Sequence, residues 1–219
     1  MKIKAIITGS TGMVGEGVLH QCLNSEKVES VLVVNRKPCE VDHPKLKEII
    51  HSNLIDLSSI EDQLKGYNAS YFCAGVSSVG KKEDEYRKIT YDLTLNFANT
   101  IFKINPESVF TYVSGVGTDS TEKGKSMWAR VKGKTENDLL KLPFKDAYIY
   151  RPGYIQPIVG LKNTYKIYKY LSLFYPIFEK VFPKYVGTLE ELGNSMINVT
   201  LNGYEKKILE CGDIRKTGK

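Results

Sequence analysis

The stretch from Lys2 to Gly17 constrains this chain more than any other. Ile3, Ala5, Ile6 and Ile7 make a short apolar run with little alternation, the pattern of a strand covered on both faces. The run halts at Thr8, glycines follow at positions 9, 12 and 15, and Val14, Val18, Leu19 and Cys22 then recur at helical spacing. Strand, glycine turn and helix in that order are what a phosphate-binding turn needs. Gly9 permits a sharp turn, Gly12 lets backbone approach a diphosphate, and Gly15 lets the helix lie close to the sheet. The free N–H groups and positive end of the helix then face the anion. Gly9, Ser10, Thr11, Gly12, Met13, Val14 and Gly15 are therefore the expected pyrophosphate cradle of a dinucleotide.

The remainder of the chain has room to build a domain around that turn. Its 219 residues, 42% of them apolar, suffice for a single domain spanning 1–219, with 154–205 contributing a small substrate or lid region. The net charge of +6 is modest and the lysines are mixed with acids, which fits anion binding at one site better than the dense basic face of a nucleic-acid binder. Cys22, Cys39, Cys73 and Cys211 lack metal-like spacing, and the N-terminus does not resemble a signal peptide. Reduced thiols in a cytoplasmic protein are the expectation. His20, His43 and His51 stand apart from one another, so no metal site is expected, and no apolar run reaches membrane-span length.

Strands are expected at 28–35, 46–51, 69–74, 108–113 and 147–150, alternating with helices over about 82–103 and 125–141. That alternation predicts an α/β fold, a Rossmann-type doubly wound parallel sheet with a small helical C-terminal part. A short helix ending at Leu64 is expected to be capped by Asp56. A last helix is expected over 189–201 and a last strand over 207–211, with 215–219 frayed. Between Tyr165 and Tyr185, eight aromatic residues alternate with lysines around Pro176 and Pro183. A lid or pocket wall accounts for them better than a membrane-surface segment.

Ligands of such sheets lie off the carboxyl ends of the strands, where Gly9, Arg36, Gly75, Ser114 and Pro152 all fall. The second strand closes on Asn35-Arg36-Lys37. An acid at that position would accept from an adenosine 2′-hydroxyl, whereas guanidinium and ammonium groups suit a 2′-phosphate, so NADP(H) is expected in preference to NAD(H).

Thr8-Gly9-x-x-Gly12-x-x-Gly15, the glycine at 75, Ser114 and Arg151-Pro152-Gly153 together resemble the short-chain dehydrogenase/reductase superfamily. The glycine spacing is similar to its extended and atypical branches, the NAD-dependent epimerase/dehydratase-like and NmrA/TIP30-like members. The resemblance implies that Asn53 and Leu54 lie near adenine, that Ala74 and Gly75 line the cofactor, and that Pro152, Gly153 and Ile155 flank the nicotinamide. It also implies that Ser114 orients substrate and Lys132 holds the nicotinamide ribose. The family's proton-transferring tyrosine should fall at 128, where this chain has Trp128, and no tyrosine lies between Tyr112 and Tyr148. An indole N–H donates a hydrogen bond but cannot exchange its proton at useful pH.

Three readings follow. The chain is an oxidoreductase, or an epimerase- or dehydratase-like isomerase, acting on a small carbonyl or hydroxyl substrate, with its proton from Tyr86, Tyr154, Ser114, Asp119 or Cys73. Alternatively, it is a non-catalytic NADP(H)-binding redox sensor that reports to a protein partner. In the third reading the substrate's own hydroxyl handles the proton. A monomer or dimer without nucleic-acid partners fits each of them.

Overall fold

A computed structural model describes residues 2–164, 168 and 171–219. The strands are β1 (Ile3–Thr8), β2 (Val28–Asn35), β3 (Leu46–Ile50), β4 (Ala69–Phe72), β5 (Val109–Val113), β6 (Asp146–Arg151), β7 (Tyr154–Gln156), β8 (Val186–Thr188) and β9 (Ile208–Glu210). The helices are α1 (Met13–Asn24), α2 (Glu83–Arg87), α3 (Leu93–Ile104), α4 (Met127–Leu139), α5 (Tyr175–Val181), α6 (Leu189–Asn202) and α7 (Cys211–Thr217).

Seven strands form one parallel sheet in the order β3-β2-β1-β4-β5-β6-β9, and β7 pairs with β8 in a small second sheet. Successive side chains point to opposite faces of a strand, so each apolar run feeds two cores. Ile6, Leu32, Val34, Phe72, Phe110, Tyr112 and Ile149 pack against Phe97, Ala98 and Ile101 of α3 and Leu139 of α4. Ile3, Ala5, Ile7, Val31, Val33, Tyr71, Tyr148 and Tyr150 pack against α1 and α6 on the other face. The chain leaves β1 toward β2 and β3 on one side and later fills β4, β5 and β6 on the other. The strand order therefore reverses between β1 and β4, which opens a crevice at their carboxyl ends. Gly9 and Ala74 meet at that crevice.

Several elements differ from the sequence reading. The helix expected over 82–103 contains a π turn, Lys88–Asp92, between α2 and α3. Its wider turn shifts the buried face, so Thr90 and Thr94 are buried while Ile89 and Leu93 are only half-buried. Asp56 caps no helix: it accepts from Ser58 N at 3.0 Å, and the following element is a short 3-10 turn, Glu61–Leu64. The C-terminus is ordered as α7 instead of frayed, because Arg215 is paired with Glu179 (2.6 Å) and Glu191 (3.5 Å). Pro176 sits in the first turn of α5 and starts that helix, since the missing N–H falls where no intrahelical acceptor exists. Tyr165 and Tyr170 of the aromatic stretch lie outside the described residues.

One buried ion pair ties α4 to the sheet. Glu136 is fully buried, and its carboxylate accepts from Arg151 Nε at 3.1 Å to each oxygen and also from Nη2. Arg151 in addition donates to Ser120 Oγ at 2.5 Å and lies 3.4 Å from Glu210. Removing one partner of such a pair leaves an uncompensated buried charge, whereas removing both need not. Arg151→Met is expected to cost roughly 3–5 kcal/mol in urea denaturation, and the double replacement Arg151→Met with Glu136→Leu is expected to recover most of that loss.

Candidate functional site

The glycine turn is built as its spacing implies. Gly9 has φ +75°, and a Cβ there would stand 2.6 Å from Ala74 N, so only glycine can cross the end of β4 so closely. A Cβ on Gly15 would lie 2.1 Å from Gly9 O, which is how α1 comes to rest against the turn. Gly12 differs from both. It is extended at φ −113° and donates to Gly9 O at 3.0 Å, and a Cβ on it would meet only that oxygen at 3.5 Å. Its outer side is open. No side chain caps α1, so the first-turn amides, which have no intrahelical acceptors, keep their donors for something else. An uncapped helix start behind an open glycine fits a diphosphate.

Three cavities run along this edge and share residues. One of about 230 Å³ is lined by Gly9, Thr11, Gly12, Asn35, Leu54 and Ala74. It continues through Thr11 and Arg36 into a larger one of about 770 Å³, walled by Lys37, Glu40, Lys162 and Asn163. In the other direction Gly12 and Gly75 lead into a cavity of about 420 Å³ with Met13, Val14, Gly15, Ser114, Lys132 and Tyr168 on its walls.

At the first of these, Asn35 is buried and donates to Ser10 Oγ (2.7 Å) and Glu48 Oε1 (3.2 Å). Its Oδ1 is buried without a partner among the described residues. A buried orphan acceptor is costly, and a ligand hydroxyl donating to it would remove the cost. Ser10 thus orients Asn35 and lines none of the three cavities. Leu54 reaches the cavity wall. Asn53 does not, since its Oδ1 accepts from Ile55 N at 3.1 Å in a local turn.

Sequence reasoning missed the clasp at the large cavity. Glu16, in the first turn of α1, accepts from Lys162 N at 2.8 Å and Asn163 N at 2.7 Å, while Lys162 Nζ lies 3.2 Å from Glu40. This brings a third basic residue, Lys162, beside Arg36 and Lys37. No local signal announces a contact between residues 16 and 163.

At the opposite end, Thr118 Oγ1 donates to Gly115 O (2.8 Å) and is 3.1 Å from Ser114 Oγ, which leaves Ser114 as the donor of that pair. Lys132 Nζ donates to Tyr112 Oη at 3.5 Å and lies 5.2 Å from the ring centroid. Burial pushes the Lys132 ammonium down to about 8, with Glu136 one turn later pulling the other way. Glu136 does not hold it higher because that carboxylate is committed to Arg151. Trp128 lines none of the three cavities. Its indole packs where Gly117 leaves room, with Cη2 3.4 Å from the place a Cβ would take.

The turn after β6 also falls short of the expected placement. Gly153 N donates to Cys211 Sγ at 2.9 Å, a Cβ on Gly153 would stand 2.2 Å from Tyr185 O, and Ile155 is buried in β7. Pro152 donates no N–H and its carbonyl accepts from Val116 N at 3.0 Å. None of these three residues lines the Lys132 cavity, and Ile155 belongs to the small β7–β8 sheet.

Of the alternative proton sources, Tyr86 is buried and Tyr154 donates to Gln156 Oε1 at 3.0 Å. Asp119 caps its own loop, where the Thr121 hydroxyl and the Gly124 amide hold its carboxyl below the usual range. Cys73 lines two of the cavities, but burial pushes its thiol up to about 12. Tyr168, counted above only as part of a lid, is the tyrosine that lines the Lys132 cavity among the described residues. Among the described residues no group of three or more His, Cys, Asp or Glu is placed to hold a metal ion.

Comparison with known proteins bears on the family and the fold. The chain is 29% identical over 154 residues to the mitochondrial protein FMP52 of Debaryomyces hansenii, covering 69% of this chain and 66% of that one. It is 27% identical over 166 residues to FMP52-1 of Scheffersomyces stipitis, covering 75% and 71%. The chain thus spans about two-thirds of the length of these relatives. Their mitochondrial names overturn the expectation of a cytoplasmic protein. Among solved structures, WbmF of Bordetella bronchiseptica in complex with NAD+ matches with a TM-score of 0.68 at 13% identity, over 98% of this chain and 77% of that one. Glucuronic acid dehydrogenase of Chromohalobacter salexigens matches with a TM-score of 0.69 at 12% identity, over 95% and 76%. At such identities the likeness is one of fold. The NAD dependent epimerase/dehydratase family model matches residues 5–133, more than half of the chain, and the chain belongs to that family.

Proposed function

We propose that this protein binds a nicotinamide dinucleotide along the carboxyl edge of its sheet, NADP(H) in preference to NAD(H), and that it is an oxidoreductase acting on a small carbonyl or hydroxyl compound with a non-standard proton donor. One observation carries the reading: the uncapped start of α1 behind Gly12 lies between a basic cavity and a cavity holding Ser114 and Lys132. A diphosphate on those amides would send its adenosine half toward Asn35 and Arg36 and its nicotinamide half toward Lys132. Arg36, Lys37 and Lys162 would meet a 2′-phosphate, and the orphan Oδ1 of Asn35 would accept from a ribose hydroxyl. WbmF with NAD+ and with NADH, and MoeE5 with UDP-glucuronic acid and NAD, support the class of cofactor.

When bound, the nicotinamide supplies or accepts the hydride. The chain's own groups hold the substrate: Ser114, whose proton goes to Thr118, would accept from a substrate hydroxyl, Lys132 brings a cation to the site, and Tyr168 and Met13 form part of its wall. The part spanning 154–205 would serve as the substrate or lid region. The sensor reading is favoured by Trp128 alone, and steady oxidation of NADPH by any member of a panel of aldehydes, ketones, quinones and nucleotide sugars would exclude it.

Calorimetry with NADP+ and NAD+ tests the cofactor preference. Arg36→Ala is expected to weaken NADP+ by about tenfold or more and to leave NAD+ nearly unchanged. Equal loss for both would remove the 2′-phosphate assignment.

Lys132 gives a second test. With its amine titrating near 8, the neutral and reactive form grows as pH rises through that value, well before ordinary lysines at about 10.4 deprotonate. Pulsed acylation read by peptide mass spectrometry is expected to label Lys132 half-maximally near pH 8, with saturating NADP+ protecting it. Labelling that tracks the surface lysines would contradict the placement.

A further inference from the structure

The helical segment from Ser172 to Val181 faces two ways. Its inner side is Tyr175, Phe178 and Glu179: the two rings pack near that of Tyr154, with centroids at 6.3 and 5.9 Å, and Glu179 is paired with Arg215 at 2.6 Å. The chain beyond it is anchored as well, since Phe182 N donates to Phe178 O at 2.7 Å and Tyr154 N donates to Tyr185 O at 2.9 Å. A surface helix fixed from behind ordinarily turns polar side chains to water.

This one turns out Leu173, Phe174, Ile177 and Val181, and the loop after it adds Phe182 and Tyr185. Leu173, Ile177 and Val181 recur every four residues, so they adjoin along one side of the helix, at 76%, 59% and 57% exposure. Among the described residues, half of the exposed large hydrophobic side chains fall within 173–185, so the apolar surface is concentrated here instead of scattered. It continues past the start of the helix. Ser172 also lines a cavity of about 390 Å³ whose walls include Pro157, Ile158, Val159 and Leu161, and Val159 is 97% exposed.

Charge indicates what covers this face. Lys180 and Lys184 are exposed beside Ile177 and Val181, and the one acid between 171 and 185, Glu179, is spent on Arg215 behind the helix. Over residues 154–188 the sequence carries five lysines, at 162, 166, 169, 180 and 184, against that single acid, a net +4 within a chain of net +6. We infer that this face docks on an anionic membrane surface. Its apolar side chains enter the interfacial layer, and Lys180 and Lys184 keep their ammonium groups among the lipid phosphates. Burial of apolar area and attraction to acidic headgroups add on such a surface.

A second copy fits less well. In an isologous pair the same face meets itself, so its lysines would oppose lysines with no free acid on the face to answer them. Among the described residues no helix is long and apolar enough to cross a membrane, so the contact is with the surface. None of the outward side chains lines the three cavities around Gly12, so docking and dinucleotide binding stand or fall separately.

Co-sedimentation of the full chain with vesicles tests the assignment. Vesicles of phosphatidylcholine with about one-third phosphatidylglycerol are expected to bind at least about tenfold more tightly than phosphatidylcholine alone, with most of that binding lost between about 0.1 M and 0.5 M salt. Ile177→Glu with Val181→Glu removes the apolar part, and Lys180→Glu with Lys184→Glu reverses the charge. Each pair is expected to weaken vesicle binding by about tenfold or more and, because all four side chains are exposed, to melt within about 2 °C of the parent. Equal binding to both lipid compositions, or binding that neither pair alters, would overturn the assignment. So would an absence of vesicle binding; a dimer in sedimentation equilibrium that Ile177→Glu with Val181→Glu splits would then give the face to a second copy.

Discussion

The first-turn amides of α1 have no acceptor within their helix, and no side chain is spent on capping them. Much of the molecule is arranged around that unsatisfied edge. Gly9 and Gly15 bring helix, turn and β4 closer together than any side chain would allow, and Gly12 keeps the approach open. The reversal of strand order between β1 and β4 then supplies the crevice into which these amides face. Glu16 sits on the same turn but is turned away from it in effect, because its carboxylate is saturated by two amides of the C-terminal segment. The clasp occupies that carboxylate while bringing Lys162 to the cavity that Arg36 lines.

At the other end the electrostatics are set along one helix. Lys132 and Glu136 are one turn apart on α4, close enough to pair, yet Glu136 is given to Arg151 on β6. Two consequences follow from that single choice. The fully buried carboxylate is compensated by a guanidinium that also binds Ser120 and approaches Glu210, which fixes α4 on the sheet. Lys132 is left with a tyrosine hydroxyl and ring as neighbours, so its ammonium is weakly held and ready to respond to negative charge in the cavity. Such a lysine suits a site where an anion develops, and it is a poor device for stability alone.

What could be read from the chain beforehand was local. The β1 run, the three glycines and the helical spacing of α1 lie within one continuous stretch, and strands ending at or just before Asn35, Ala74, Ser114 and Arg151 follow from apolar runs and turn residues. What escaped was tertiary. The clasp joins residue 16 to residue 163, and Tyr168 reaches the Lys132 cavity from a segment whose aromatic composition gave no hint of which ring would face inward. Phe174, Ile177, Val181, Phe182 and Tyr185 of the same stretch are exposed. The π turn at Lys88–Asp92 leaves Ile89 and Leu93 half-buried although Phe97 and Ile101 beyond it still reach the core, and the order of α7 rests on Arg215 finding acids on two other helices. The resemblance carried Asn53, Gly153 and Ile155 to positions that local hydrogen bonds and the β7–β8 pairing put to other uses.

The account depends on the open side of Gly12, and a single methyl group probes it. Gly12 is extended, and a Cβ there meets nothing nearer than Gly9 O at 3.5 Å, so Gly12→Ala should fold and melt like the parent. That methyl would stand where a diphosphate must lie against the helix start. Calorimetric titration of Gly12→Ala with NADP+ should therefore show affinity reduced by about tenfold or more at unchanged melting temperature. A variant that binds NADP+ as tightly as the parent would contradict the claim that this turn holds the dinucleotide.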